Sequence, residues 1–239
     1  MSSQPEVSPS EGGEVSLSLD GMNVCIGIPC YSGVVPVEQA MALVEAVTTL
    51  RQKGVKVSIA MERDNALVDL ARNRVVAKFL NETKCNKLFW LDDDIIFKPD
   101  DMERLLAWST LYPVVGATYP VRGDPPKFFV RRESEIWNQN EYGLFKIIGT
   151  GLGFCVIDRS VFEQMEPTVD KFTMEKEEIA AYYTITRENG IYFGEDITFF
   201  KKWHEMGGCM MLDPSIDLIH VGSKQYDYKF VDFIKGLYK

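Results

Sequence analysis

The sequence predicts an α/β fold: a Rossmann-like, mostly parallel central sheet with helices on both faces. Three observations predict it. Apolar runs of strand length alternate with segments of helical period from residue 22 to residue 121. Those runs are nearly continuous rather than alternating, as in strands covered on both sides. A length of 239 residues with 46% hydrophobic side chains is enough for one buried core and favours a single domain.

The elements follow in order. "MNVCIGIPC" (22–30) reads as a buried strand, and "YSGVVP" as the loop after it. "VEQAMALVEAVTTLRQKG" (37–54) has helical period and stops at Gly54. "VKVSIAM" (55–61) is a second strand. "DNALVDLARNRVVAKFLNE" (64–82) is a second helix, with Asp64 or Asn65 expected as its cap. "KLFWL" (87–91) is a third strand, and "KPDDMERLLAWST" (98–110) a helix with Pro99 in its first turn. "PVVGATYPV" (113–121) is a fourth strand. Beyond it, "LFKIIGTGLGFCVIDRSVFEQM" (144–165) reads as two short strands broken by glycines and then a helix. "EDITFFKKWHEMGG" (195–208) is a helix closed by glycine, and "CMMLDPSIDLIHVG" (209–222) a last strand pair.

The first 20 residues are rich in Ser, Pro, Gly and Glu and are expected to be a disordered tail. The single domain is then 21–239, with 224–239 a C-terminal lid or a helix packed on the core. The tail lacks the basic and apolar regions of a signal peptide, and no run reaches membrane-spanning length. A soluble, cytoplasmic protein without membrane insertion is expected. The five cysteines are scattered and set among apolar residues, as small buried hydrophobes are. A net charge of −9 argues against general affinity for nucleic acid or anionic membrane. The local basic stretch Arg122, Lys127, Arg131 and Arg132 is either a solvated loop or a phosphate contact.

In parallel sheets ligands bind beyond the carboxyl ends of the strands. That rule brings "LFWLDDDIIF" (88–97) to the front, because three aspartates follow a buried run there. Strand alternation would turn Asp92 and Asp94 to one side and Asp93 away. Two such carboxylates supply oxygen ligands for Mg2+ or Mn2+ and leave room for water and a diphosphate; the bland reading is an acidic turn in water. His220, at a strand end, would favour Mn2+ if it joined them. Glu195 and Asp196 open a helix after Gly194, where they serve either the helix dipole or a general-base role. Asn65, Asp69 and Arg72 share a helix stripe that starts beside the strand ends, and that stripe is either functional or solvated. His204 reads as solvated. Gly149, Gly151 and Gly153 alternate in a strand-like segment, which marks close approach of a ligand. They do not open a helix, so a dinucleotide fingerprint is excluded.

Taken in order, "IGIPCYSG", "ARN", "WLDDDIIFKPDDMERLL", "VVGATYPV", "GTGLGFCVIDRSVFEQM", "FGEDITFFKKWHEMGG" and "DPSIDLIHVG" resemble the glycosyltransferases of the GT-A fold. The resemblance covers about residues 22–223. It implies a metal-dependent transfer of a sugar from a nucleotide-sugar donor, commonly a UDP-sugar, to an acceptor hydroxyl. Asp92 and Asp94 would be the Asp-x-Asp pair, with Asp94 the direct metal ligand and Asp92 facing the ribose or a metal-bound water. His220 would complete the metal site. Pro29, Tyr31, Ser32 and Arg72 would hold the nucleotide. Asp196, or Glu195, would be the base of an inverting enzyme. The acceptor is left open between a small molecule, a glycan, a protein and a hydroxylated nucleic-acid base. Two alternatives from other classes stand beside this reading: a metal-dependent phosphohydrolase, and a non-catalytic sugar-nucleotide binding module.

Overall fold

Val24, Cys25 and Ile26 are fully buried because they lie on β1 (Asn23–Cys30), an interior strand of the sheet. The computed structural model describes residues 17–237. The chain continues through α1 (Val37–Gln52), β2 (Lys56–Arg63), α2 (Val68–Glu82), β3 (Lys87–Leu91), the short β4 (Ile95–Ile96), α3 (Pro99–Trp108) and β5 (Val114–Gly116). The second half holds β6 (Val130–Arg131), β7 (Phe145–Ile147), β8 (Gly149–Thr150), β9 (Phe154–Asp158) and α4 (Arg159–Met165). Two hairpins follow, β10 (Lys171–Met174) with β11 (Glu177–Ala180) and β12 (Thr186–Glu188) with β13 (Ile191–Phe193). The described chain closes with α5 (Glu195–Glu205), β14 (Met210–Leu212), β15 (Ile219–Val221), β16 (Gln225–Tyr226) and α6 (Phe230–Ile234).

Seven strands form the central sheet in the order β2-β1-β3-β9-β5-β14-β7. β1 pairs in parallel with β2 and β3, and β5 with β14; β9 and β7 run antiparallel. The α/β class and the mostly parallel sheet are as expected. Period-two alternation divides the core. Val24, Ile26, Phe89, Leu91, Phe154 and Val156 face one layer with α1 and α3. Cys25, Leu88, Trp90, Cys155 and Ile157 face the other with α2, α4 and α5. The interior strands β1, β3, β9, β5 and β14 are thus buried on both faces, which is why their runs are apolar, whereas the edge strands β2 and β7 expose one face.

Three local expectations are corrected. Neither Asp64 nor Asn65 caps α2: the helix starts after Leu67, and Asn65 Oδ1 accepts from Leu67 N–H instead (3.1 Å). The segment 209–222 is not a strand pair, because β14 joins the central sheet while β15 joins β4 and β16 in a separate three-stranded sheet. Gly149 and Gly151 are approached by aromatic rings of the protein: a Cβ there would lie 2.4 Å from Phe200 and 2.3 Å from the Tyr119 hydroxyl. The expected tail falls almost entirely outside the described residues.

The C-terminal segment packs as a helix. Phe230 is buried with Phe128 and Trp137 against it, at ring-centroid distances of 5.2 and 5.3 Å. Four cysteines are buried and all five are free. Among the described residues no helix is long and apolar enough to cross a membrane.

Candidate active site

The ladder of β3 ends at Leu91, and the next three residues turn. Asp92 N–H donates to the Gly153 carbonyl (3.0 Å) beside β9, and Ile95 N–H reaches back to the Asp92 carbonyl (3.4 Å). Gln39, on α1 and buried, donates its amide to the same carbonyl (2.7 Å). A turn rather than a strand therefore sets the three carboxylates, and each finds different company.

Asp92 meets Arg72. α2 packs on β1 and β2 through Ala71, Val75 and Phe79, so Arg72 beside them points beneath the acidic turn and is 3% exposed. Its Nη2 lies 3.0 Å from both Asp92 oxygens and donates to Oδ2. Its Nε donates to Glu195 Oε1 (3.2 Å), and the guanidinium lies over the Trp90 ring, 5.1 Å from the centroid. One cation is thus shared by two carboxylates from distant parts of the chain. Burial opposes its charge, but Asp92 and then Glu195 outweigh burial and hold its pKa above the ordinary arginine value. At Asp92 burial wins over the Arg72 charge, and the carboxyl titrates above the usual range. Asp92 Oδ1, Arg72 Nη1 and Gln39 Oε1 are buried polar atoms without a hydrogen-bond partner in the protein. Such groups cost about 1–3 kcal/mol each when left unmatched, and here they cluster around one turn.

The hairpin β12–β13 delivers Gly194 to the start of α5, whose first two residues are Glu195 and Asp196. Asp196 Oδ1 accepts from Ile197 N–H (2.7 Å). Burial, and then the neighbouring Glu195 carboxylate, push the Asp196 pKa up to about 6. Tyr119 stands between these groups. Its hydroxyl accepts from Gly153 N–H (3.2 Å), and burial followed by the charges of Asp92 and Asp196 raises its pKa well above the ordinary tyrosine value. A Cβ on Gly153 would lie 2.9 Å from the Tyr119 ring and 3.0 Å from Asp92 Oδ2, so glycine there lets the tyrosine and the carboxylate sit together.

Asp94 faces the other way, to a different sheet. β15 pairs with β4 so that His220 is opposite Ile95, and Val221 N–H donates to the Asp94 carbonyl (2.8 Å). His220 Nδ1 lies 2.8 Å from the Pro120 carbonyl. A carbonyl only accepts, so the proton is assigned to Nδ1. Nε2 then lies 3.5 Å from Asp94 Oδ2, too long for a hydrogen bond. In the neutral imidazole that leaves two electron-pair donors facing each other, with a backbone carbonyl fixing the ring, as in metal-ligating histidines. Arg122, on the loop after Tyr119, donates to Asp94 Oδ2. Among the described residues no group of three or more His, Cys, Asp or Glu is placed to hold an ion by itself. Asp94 and His220 offer one oxygen and one imidazole nitrogen, a donor set of the kind that Mn2+ accepts.

Of these groups Asp92, Asp94 and Arg122 line two adjoining recesses at the carboxyl ends of β1 and β3, while Tyr119, Glu195, Asp196 and His220 lie outside their linings. One, of about 310 Å³, is lined by Pro29, Tyr31, Asn65 and the three aspartates. The other, of about 660 Å³, is lined by Tyr31, Ser32, Asp93, Asp94, Arg122 and Gln225 among others. Tyr31 is 62% exposed between them, an aromatic face open to solvent. A separate recess of about 280 Å³ lies between α2 and the β10–β11 hairpin, lined by other residues.

No family model matches the chain, and no curated protein matches it in sequence. Its fold is similar to that of A197 from STIV, a crystal structure, at a TM-score of 0.52 over 84% of this chain and 86% of that one. Identity is 20%, so the likeness shows the fold alone. The crystal structure of GalNAc-T7 with UDP, GalNAc and Mn2+ is more distant, with a TM-score of 0.44 and 11% identity over 87% of this chain and 45% of that chain. A likeness that weak carries no functional weight.

The sequence-predicted residues therefore fall into three groups. Arg72, Asp92 and Glu195 form one ion-paired cluster, with Asp196 next to it. Asp94 and His220 meet across β4 and β15. Pro29, Tyr31 and Ser32 line the recesses with the aspartates, and Arg72 lies behind the wall. Among the described residues Asp69 accepts only from its neighbour Leu70 N–H (2.9 Å), and the stripe it shares with Arg72 does not act together. His204 Nδ1 lies 3.2 Å from the Gly208 carbonyl and Nε2 3.5 Å from Glu133, so it has partners rather than water alone. Two members were not legible in the sequence: Tyr119 and Gln39. The alternating glycines pointed to a ligand where the Tyr119 ring in fact lies, and nothing local signalled Gln39.

Proposed function

We propose that this chain is a metal-dependent glycosyltransferase that moves a sugar from a nucleotide-sugar donor, a UDP-sugar, to an acceptor hydroxyl. The observation that carries this reading is the His220 ring, fixed by Pro120 with Nε2 turned to the Asp94 carboxylate. Asp94 and His220 would hold the divalent ion, Mn2+ in preference to Mg2+ because of the imidazole. That ion, when bound, stabilises the negative charge that develops on the departing nucleoside diphosphate.

The protein's own groups do the rest. Pro29, Tyr31 and Ser32 form the wall for the nucleotide, with Tyr31 presenting a stacking face. Asp92 is held by Arg72, whose Nη2 lies 3.0 Å from both its oxygens, and Oδ1, which makes no hydrogen bond within the protein, would accept a hydroxyl of the donor ribose or a bound water. Glu195 is committed to Arg72 and keeps the start of α5 beside the acidic turn. Asp196 takes the proton from the acceptor hydroxyl as that oxygen attacks the anomeric carbon, which inverts the configuration there. With a pKa of about 6 it is ionised at neutral pH yet more basic than an ordinary aspartate.

A thermal-shift screen of nucleoside diphosphates with and without Mn2+ tests this reading, since a ligand that binds only the folded chain raises its melting point. The expected result is a shift that needs both UDP and Mn2+ and is absent in Asp94→Ala. No shift with any nucleotide would sink it. Phosphate release from a generic phosphate ester would then favour the phosphohydrolase. Binding without transfer, unchanged in Asp196→Asn, would leave a sugar-nucleotide binding module.

A further inference from the structure

We propose that Arg122 is a two-position arm: on Asp94 in the free protein, and on the donor diphosphate once a metal occupies Asp94. The inference rests on the proposed donor site and adds a residue to it. Among the described residues lining the two recesses, Arg122 alone carries a positive charge, against Glu38 and the three aspartates. A diphosphate entering that cleft would meet acidic walls and, among the described lining residues, one cation. Arg72 does not serve, because its guanidinium is buried and held by Asp92 and Glu195.

The two arginines at this turn are held very differently. The Arg122 side chain is 46% exposed and its partner Asp94 27%, whereas the Arg72 side chain is 4% exposed. An exposed pair is worth about 0–1 kcal/mol and is given up cheaply. A divalent ion and a guanidinium on one carboxylate oxygen repel each other, so the arm leaves when the ion arrives. Its base stays in place. The Arg122 stem lies across Gly222, where a Cβ would come 2.9 Å from Arg122 Cδ. The same loop is latched to the segment after β15 by Asp124, which bonds both Lys224 and Tyr228. Val121 N–H closes the loop on the Lys127 carbonyl (2.7 Å). Only the guanidinium end is left to choose between an aspartate and a phosphate, and a planar fork suits phosphate oxygens.

The competition gives a test with opposite signs. Mn2+ alone, and separately UDP at saturating Mn2+, are titrated calorimetrically into the parent, Arg122→Ala and Arg122→Lys. In Arg122→Ala, Mn2+ alone is expected to bind about two- to fivefold tighter, because Asp94 is no longer covered. UDP at saturating Mn2+ is expected to bind roughly tenfold more weakly, and inorganic diphosphate to show the same loss. Arg122→Lys should recover part of the UDP affinity as a point charge. Unchanged UDP affinity in Arg122→Ala, with a parent that binds UDP and Mn2+, overturns this proposal and leaves the donor site standing. Loss of both Mn2+ and UDP binding in Arg122→Ala overturns it too, by making the arginine a structural support. A parent that binds neither overturns the donor site and the arm together.

Discussion

The two sides of the Asp92–Asp94 turn differ more than three identical residues suggest. On the inner side Asp92 shares the buried Arg72 with Glu195, and the cluster ties β3, α2 and α5 together. On the outer side Asp94 is half-exposed between His220 and the solvent-facing Arg122. Identical carboxylates acquire different work because burial decides which cation can leave. The inner pair is expensive to break and therefore permanent; the outer pair is weak and therefore exchangeable. The inner side builds the turn, and the outer side is open to a ligand.

The contrast can be broken most strongly through chemistry. Asp94→Ala and Asp196→Asn should each lower sugar transfer by roughly 10²–10⁴-fold. The first should also abolish the Mn2+-dependent affinity for UDP and the second should keep it; steady-state rates with UDP titrations separate them. The inner side is next. Arg72→Ala leaves two carboxylates buried without their cation and should cost about 3–5 kcal/mol in urea denaturation. A pH series sharpens the role of Asp196. Its folded pKa is raised, so the proposed base is lost by protonation as pH falls through about 6. Transfer should drop about tenfold per pH unit below that point, and the residual rate of Asp196→Asn should lack that limb. The smallest effect is expected on the outer side: Arg122→Ala should change unfolding stability by no more than about 0.5 kcal/mol. An Arg122→Ala loss as large as that of Arg72→Ala would erase the distinction between the two sides.

Much of this arrangement was legible in the chain, for a local reason. Strands buried on both faces leave continuous apolar runs, so β1 and β3 stood out, and the aspartates fell at the rim where parallel sheets bind ligands. Helical period with glycine stops marked α1 and α5. What stayed hidden depends on partners distant in sequence. β9 inserts antiparallel between β3 and β5, a choice that no local period encodes. Gln39 reads as an ordinary helix residue until α1 docks and its amide meets the Asp92 carbonyl, 53 positions away. Tyr119 looks like the end of a strand, and only the glycines 32 and 34 residues later (Gly151 and Gly153) make room for its ring. Even the alternation of Asp92 and Asp94 failed for a local cause, because pairing stops at Leu91 and the backbone turns.

The most direct test of the outer site is electron–nuclear spectroscopy of Mn2+ bound to the protein with UDP. The account predicts nitrogen coupling from His220 and phosphorus coupling from the diphosphate on one ion, with the nitrogen coupling gone in His220→Gln. Phosphorus coupling without any histidine nitrogen in the parent would contradict it, because the imidazole held by Pro120 would then have no part in the metal site.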